Sequence, residues 1–172
     1  MAAREGGFMR LFIAIQLSDG MRAALGEVQD DLYRQGVRGN YTPAENLHLT
    51  LAFIGEYGDP ERVLDVIRSV PFAPFELRLE GIGAFGDLWW VGLERSEALQ
   101  NYVRKLRRAL AEADIPFDRK RFTPHITLLR RANADMARLR GITVERVGIT
   151  VDHPSLIRSD RGKGGMIYTE IE

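Results

Sequence analysis

HLTLAFIG, residues 48–55, and HITLLRR, residues 125–131, decide how this chain is read. Each is a short apolar run opened by a histidine, with a threonine two places on. The chain holds three histidines, and two of them share the frame His-x-Thr-Leu. In a strand, successive side chains point to opposite faces. His48 and Thr50 therefore share one face, with Leu49 and Leu51 on the other. His125 and Thr127 are set against Ile126 and Leu128 in the same way. The aliphatic partners belong in a core, so the two His/Thr pairs line faces that cannot also be core.

Working outward, the flanking sequence repeats as well. MRLFIAIQL (9–17) is a short apolar run that stops at Ser-Asp-Gly, which reads as a strand. Met21, Leu25, Val28 and Leu32 then recur at helical spacing over 18–35, with Ser18 or Asp19 as the N-cap. GVRGNYTPAEN is a loop, and LHLTLAFIG is the first His-x-Thr strand. Asp59-Pro60 opens a short helix, because proline fits the first helical position. FELRLEGIGAF (75–85) alternates as a strand does. The second round begins with the strand LWWVGLE (88–94), followed by a helix whose apolar stripe is Leu99, Tyr102, Val103, Leu106 and Leu110. Then come the loop IPFDRKRFTP, the strand HITLL, a short helix at 134–140 and an alternating strand ITVERVGITV (142–151). SLIRSD and GGMIYTEI form a terminal hairpin joined by Arg161-Gly162-Lys163. Both rounds run strand, helix, loop, His-x-Thr strand, short helix, strand, at matched lengths. This predicts an internal duplication, about 9–85 and 88–172, around a pseudo-twofold axis.

Composition sets outer limits. At 172 residues, with 45% hydrophobic and 28% charged side chains, the chain reads as one globular unit able to bury its own core. It has no cysteine, which excludes disulfides and thiolate chemistry. The start, MAAREGGF, has no apolar stretch of signal-peptide type, and no run reaches the roughly 18–20 apolar residues of a membrane span. A cytoplasmic protein is expected. Net charge is zero but unevenly spread. Between Arg104 and Arg131, Arg104, Lys105, Arg107, Arg108, Arg119, Lys120, Arg121, Arg130 and Arg131 face only Glu112, Asp114 and Asp118. Such a segment suits an anionic partner, and equally a solvated helix face and loop.

Two histidines brought together across a twofold axis suit one chemistry. A neutral imidazole takes a proton from an attacking group, and a protonated one gives a proton to the leaving group. An ordinary value near ~6.5 lets both forms exist at neutrality. Hydroxyl and guanidinium groups beside them can hold the non-bridging oxygens of a phosphate. A metal site is the rival reading, but neither motif carries a second ligand at metal spacing. His153, beside Pro154, reads as a loop residue. GKGG (162–165) lacks the spacing of a phosphate loop and reads as a hairpin turn.

With MRLFIAI at the start, a FELRL strand between, PAENLHLTL and TPHITLLR, nearly the whole chain from Met9 onward resembles the 2H phosphoesterase superfamily. Within it, the RNA 2′,3′-cyclic phosphodiesterase branch is the nearest in look. The resemblance implies an α+β, bilobal fold: two pseudo-twofold-related lobes, each an antiparallel sheet with helices on its outer face, around a V-shaped cleft. It implies hydrolysis of a terminal RNA 2′,3′-cyclic phosphate to a 2′-phosphomonoester without metal or other cofactor; a monomer is expected, since nothing in the sequence demands more. His48 is the implied proton donor and His125 the proton acceptor. Thr50, Thr127 and Arg130 are the implied phosphate contacts. Strict alternation, however, puts Arg130 on the Ile126/Leu128 face, so it reaches the cleft only through a bulge or the strand's end. Arg131 has the right parity. Tyr41 is read either as a base-stacking or as a loop-packing ring, and Phe12 and Phe85 as core in preference to cleft-facing. Alternatives in other classes are a non-catalytic nucleotide- or RNA-binding module, joining of a cyclic end to a 5′-hydroxyl as the reverse reaction, and a small-molecule cyclic phosphate as substrate.

Overall fold

The computed structural model describes residues 7–172; residues 1–6, most of the stretch read as lacking a signal peptide, lie outside the described residues. In chain order the elements are β1 (Met9–Gln16), α1 (Asp19–Arg34), β2 (Asn40–Tyr41), β3 (His48–Tyr57), α2 (Pro60–Ser69), β4 (Phe75–Phe85), β5 (Leu88–Leu93), α3 (Glu97–Glu112), β6 (Ile126–Arg130), β7 (Gly148–Val151), β8 (Ser155–Gly162) and β9 (Gly165–Ile171). A 3₁₀ turn over Ala44–Asn46 leads into β3. The helices begin where the sequence signals them. Ser18 Oγ accepts from Met21 N and Ser96 Oγ from Leu99 N, each at 3.1 Å, satisfying amides that lack an intrahelical partner. Asp59 caps α2, with Pro60 in the first turn.

The strands form two antiparallel sheets, one in the order β3-β1-β8-β9 and the other β2-β6-β5-β4-β7. The two sheets are built alike, to the order the expected repeats give. Each sheet takes its first two main strands from one repeat (β3 and β1, or β6 and β5) and its next strand from the other. β4, from the first half, lies beside β5; β8, from the second half, lies beside β1. The two lobes thus exchange a strand. By sheet position the counterpart of β4 is β8, not the 142–151 segment that the sequence order pairs with it. That segment is strand only at Gly148–Val151, on the edge beyond β4. The expected helix at 134–140 is a single 3₁₀ turn, Met136–Leu139, and the hairpin bend falls at Lys163-Gly164, because Arg161 and Gly162 still pair with Met166 and Gly165.

One contiguous core runs through both lobes. It joins Leu11, Ile13 and Ile15 of β1, Leu49 and Leu51 of β3, Leu77 and Leu79 of β4, Trp89 and Val91 of β5, and Ile126 and Leu128 of β6 to the apolar stripes of the helices. The helices cover this face. A second, small cluster of Phe12, Ala14 and Ile157, with Phe53 and Tyr168 against it, lies on the opposite face of the first sheet. That face is one wall of the cleft.

Candidate active site

His48 opens β3, and His125 stands immediately before β6. The two rings are anchored alike. His48 Nδ1 lies 2.7 Å from Asn46 O and His125 Nδ1 lies 2.7 Å from Thr123 O. A carbonyl only accepts, so Nδ1 carries the proton in both rings and Nε2 is left for chemistry. His48 Nε2 is 2.8 Å from Thr50 Oγ1, whose hydroxyl donates to it while the ring is neutral. His48, Thr50, His125, Thr127, Arg130, Thr42, Asn46 and Tyr168 line one cavity of about 100 Å³ between the sheets. Both His-x-Thr pairs therefore meet across the cleft. A larger cavity of about 460 Å³ continues from His48 and Thr50 along the first sheet, past Phe53, Arg10, Glu56 and Arg161.

Arg130, not Arg131, lines the cleft, and a bulge is the reason. Trp89 of β5 is opposite Leu129, but Trp90 is opposite Thr127, so Leu128 is the extra residue on β6. Leu128 and Leu129 are both fully buried. From there the alternation is reversed, and Arg130 joins the face of Thr127. The first repeat repeats the device: Ile13 is opposite Ala52 and Ala14 opposite Thr50, leaving Leu51 extra. Leu51 and Ala52 are both buried, and Phe53 turns into the cleft. Equivalent bulges thus deliver a guanidinium from one lobe and an aromatic ring from the other, the latter with the Arg10 guanidinium 4.9 Å from its centroid.

Each histidine sits among aromatic rings that the sequence left as core or did not single out. Phe12 and Tyr168 have centroids 4.8 and 5.4 Å from His48, and Phe85 and Trp90 lie 5.1 and 6.3 Å from His125. The core reading of Phe85 is corrected accordingly, whereas that of Phe12 holds, in the small cluster that faces the cleft. Phe12 is buried, but on the cleft side of β1, and Phe85 is exposed. Gly83 makes room for Trp90, since a Cβ there would stand 2.5 Å from the indole. Tyr41 packs in its loop, its hydroxyl donating to Val37 O. His153 pairs with Asp152 in the loop before β8. Among the described residues, no group of three His, Asp or Glu comes together at metal-binding spacing.

The surroundings of the first lobe's cleft wall act on its titratable groups. Burial pushes the His48 imidazolium below the usual histidine range. The bond to the Asn46 carbonyl opposes this, and the positive charges of Arg130, His125 and Arg22 add to it. Burial raises Tyr168, so its phenol keeps its proton and can donate into the cleft.

A two-lobed α+β fold with one His-x-Thr pair on each lobe defines the 2H phosphoesterase class. The chain belongs to the 2′-5′ RNA ligase superfamily, which it matches over residues 18–163. It is 30% identical to an RNA 2′,3′-cyclic phosphodiesterase of Methanothermobacter thermautotrophicus, over 95% of this chain and 97% of that one. It is 34% identical to one from Thermus thermophilus, over 95% and 88%. Among solved structures, TT0787 of Thermus thermophilus superposes with a TM-score of 0.79 at 32% identity, covering 95% of this chain and 96% of that one. E. coli LigT complexed with 3′-AMP does so with 0.81 at 26% identity, covering 96% of each.

Proposed function

We propose that this protein hydrolyses the 2′,3′-cyclic phosphate at the end of an RNA to a 2′-phosphomonoester, with His48 and His125 as its acid and base. The observation that carries the reading is the matched pair of histidines, each held at Nδ1 by a carbonyl two residues before it, on opposite walls of one cavity. The activity in the names of its relatives supports the same chemistry. Neutral His125 takes a proton from water through Nε2, and the oxygen attacks phosphorus. The bond from phosphorus to the 3′ oxygen breaks, and protonated His48 gives that oxygen its proton. The products are a 3′-hydroxyl and a 2′-phosphate. Thr50, Thr127 and Arg130 hold the non-bridging oxygens, where charge builds in the transition state. Each proton has a side chain to carry it, so no step calls for a metal.

His48 as the acid depends on the substrate. Its charged form is disfavoured by burial and by the charge of Arg130. A phosphate anion between them reverses that second effect and favours the imidazolium. The test is an oligoribonucleotide ending in a 2′,3′-cyclic phosphate, incubated with the protein and EDTA. A 2′-phosphate end is expected. A 3′-phosphate end would mean that the 2′ oxygen leaves instead, and nucleotide binding without turnover would mean a binding module.

A further inference from the structure

Gln29 and Arg107 occupy the same place in the two repeats, each the same number of residues beyond its helix N-cap, Ser18 or Ser96. Gln29 Nε2 donates to two carbonyls, Thr42 O and Leu128 O, both at 2.9 Å. Arg107 donates Nη1 to Lys120 O at 2.7 Å, and Nε and Nη2 to Leu51 O at 3.2 and 3.1 Å. The partners correspond one for one. Thr42 and Lys120 lie in the segments that lead into each repeat's own histidine strand. Leu128 and Leu51 are the bulge residues of the other repeat's histidine strand.

We propose that Gln29 and Arg107 are positioning residues that register the two histidine strands against each other across the pseudo-twofold axis. Neither side chain is among those lining the cleft. Each joins a carbonyl on the approach to one histidine to the bulge three residues beyond the other. A bulge interrupts the regular ladder; Leu128 O also accepts from Thr42 N at 2.9 Å, so Gln29 is its second donor and ties the bulge to Thr42 O as well. The side-chain donor therefore stabilises the bulged register over the regular one. In the regular register Arg130 and Phe53 would turn to the core face. Gln29 thus sets the aim of Arg130, and Arg107 that of Phe53. The Arg107 guanidinium is held in place by its surroundings, with the Phe117 and Phe122 centroids 5.8 and 5.6 Å away.

This inference rests on the proposed phosphodiesterase reading, and its test separates the two. Gln29→Met keeps the length and helix preference of the side chain and removes the donor; Gln29→Lys restores one. Each is made with and without Arg130→Ala, and kcat/KM is read on the cyclic-phosphate oligoribonucleotide alongside thermal melting. With Arg130 present, Gln29→Met is expected to lose about tenfold, the scale of its lost hydrogen bonds and the misplaced charge behind them. In the Arg130→Ala background the loss should shrink several-fold, and Gln29→Lys should recover most of it. A residue that only stabilises the fold would lower Tm and give the same factor in both backgrounds, which would overturn the proposal. So would full activity of a folded Gln29→Met. Equally strong coupling of Arg107→Met to Arg130 would overturn the assignment of one clamp to each bulge. No turnover by the unsubstituted protein removes the underlying reading, whereas turnover without coupling removes this inference alone.

Discussion

At the scale of single residues, the histidines and threonines were legible and the arginine was ambiguous. A His-x-Thr pair at the head of an apolar strand states its own parity. Arg130 depends on how many residues oppose each other across two strands, and strict alternation gets it wrong. A trace of the bulges was present in the sequence: Leu51-Ala52 and Leu128-Leu129 are adjacent apolar residues where alternation calls for one polar one. Arg130→Ala is expected to lower kcat/KM about ten- to a hundredfold, as loss of a charge-assisted bond to the transition state does. Arg131→Ala, outside the cleft, should stay within about twofold; equal effects would put the bulge assignment in error. The pH profile tests the roles. His48 is lowered in the free protein, so the protonated fraction it needs as an acid is lost early as pH rises. A bound phosphate anion raises it again. The alkaline limb of kcat should therefore lie at higher pH than that of kcat/KM. Movement of the acid limb instead would exchange the two histidines' roles.

Among the elements, the repeated order of strands and helices was readable because each has its own local signal: a cap, a period, a proline. Pairing was not readable, since nothing local to FELRLEGIGAF says which sheet it enters. The 142–151 run illustrates the same point. Its alternation suits a strand throughout, but only Gly148–Val151 finds a partner, in β4. The 3₁₀ turn before β3 is tied to the terminal hairpin by Asn46, a buried polar residue whose Nδ2 donates to Met166 O at 2.9 Å. Its own carbonyl holds the His48 ring. Asn46→Ala should cost about 1–3 kcal/mol for the unpaired carbonyl, seen as a fall of several degrees in Tm. An unchanged melting curve would show that the tie to the hairpin carries no weight.

For the whole molecule, the exchange of β4 and β8 makes each half incomplete without the other. A fragment ending at Asp87 carries β1 and β3 without β8 along the free edge of β1, and β4 without β5. It should show no cooperative melting by circular dichroism; a cooperative transition in that fragment would mean that the repeats fold as separate units. The strands that are not exchanged, β3 and β6, put one histidine on each lobe, facing a shared cavity, which is the basis of the functional reading. The most direct test of that reading is the rate of cyclic-phosphate opening on the oligoribonucleotide for His48→Ala and His125→Ala beside the unsubstituted protein. Each variant should keep its fold and lose about 10²–10⁴-fold in kcat, the usual contribution of one positioned proton transfer. Near-full activity in either folded variant would contradict a two-histidine mechanism.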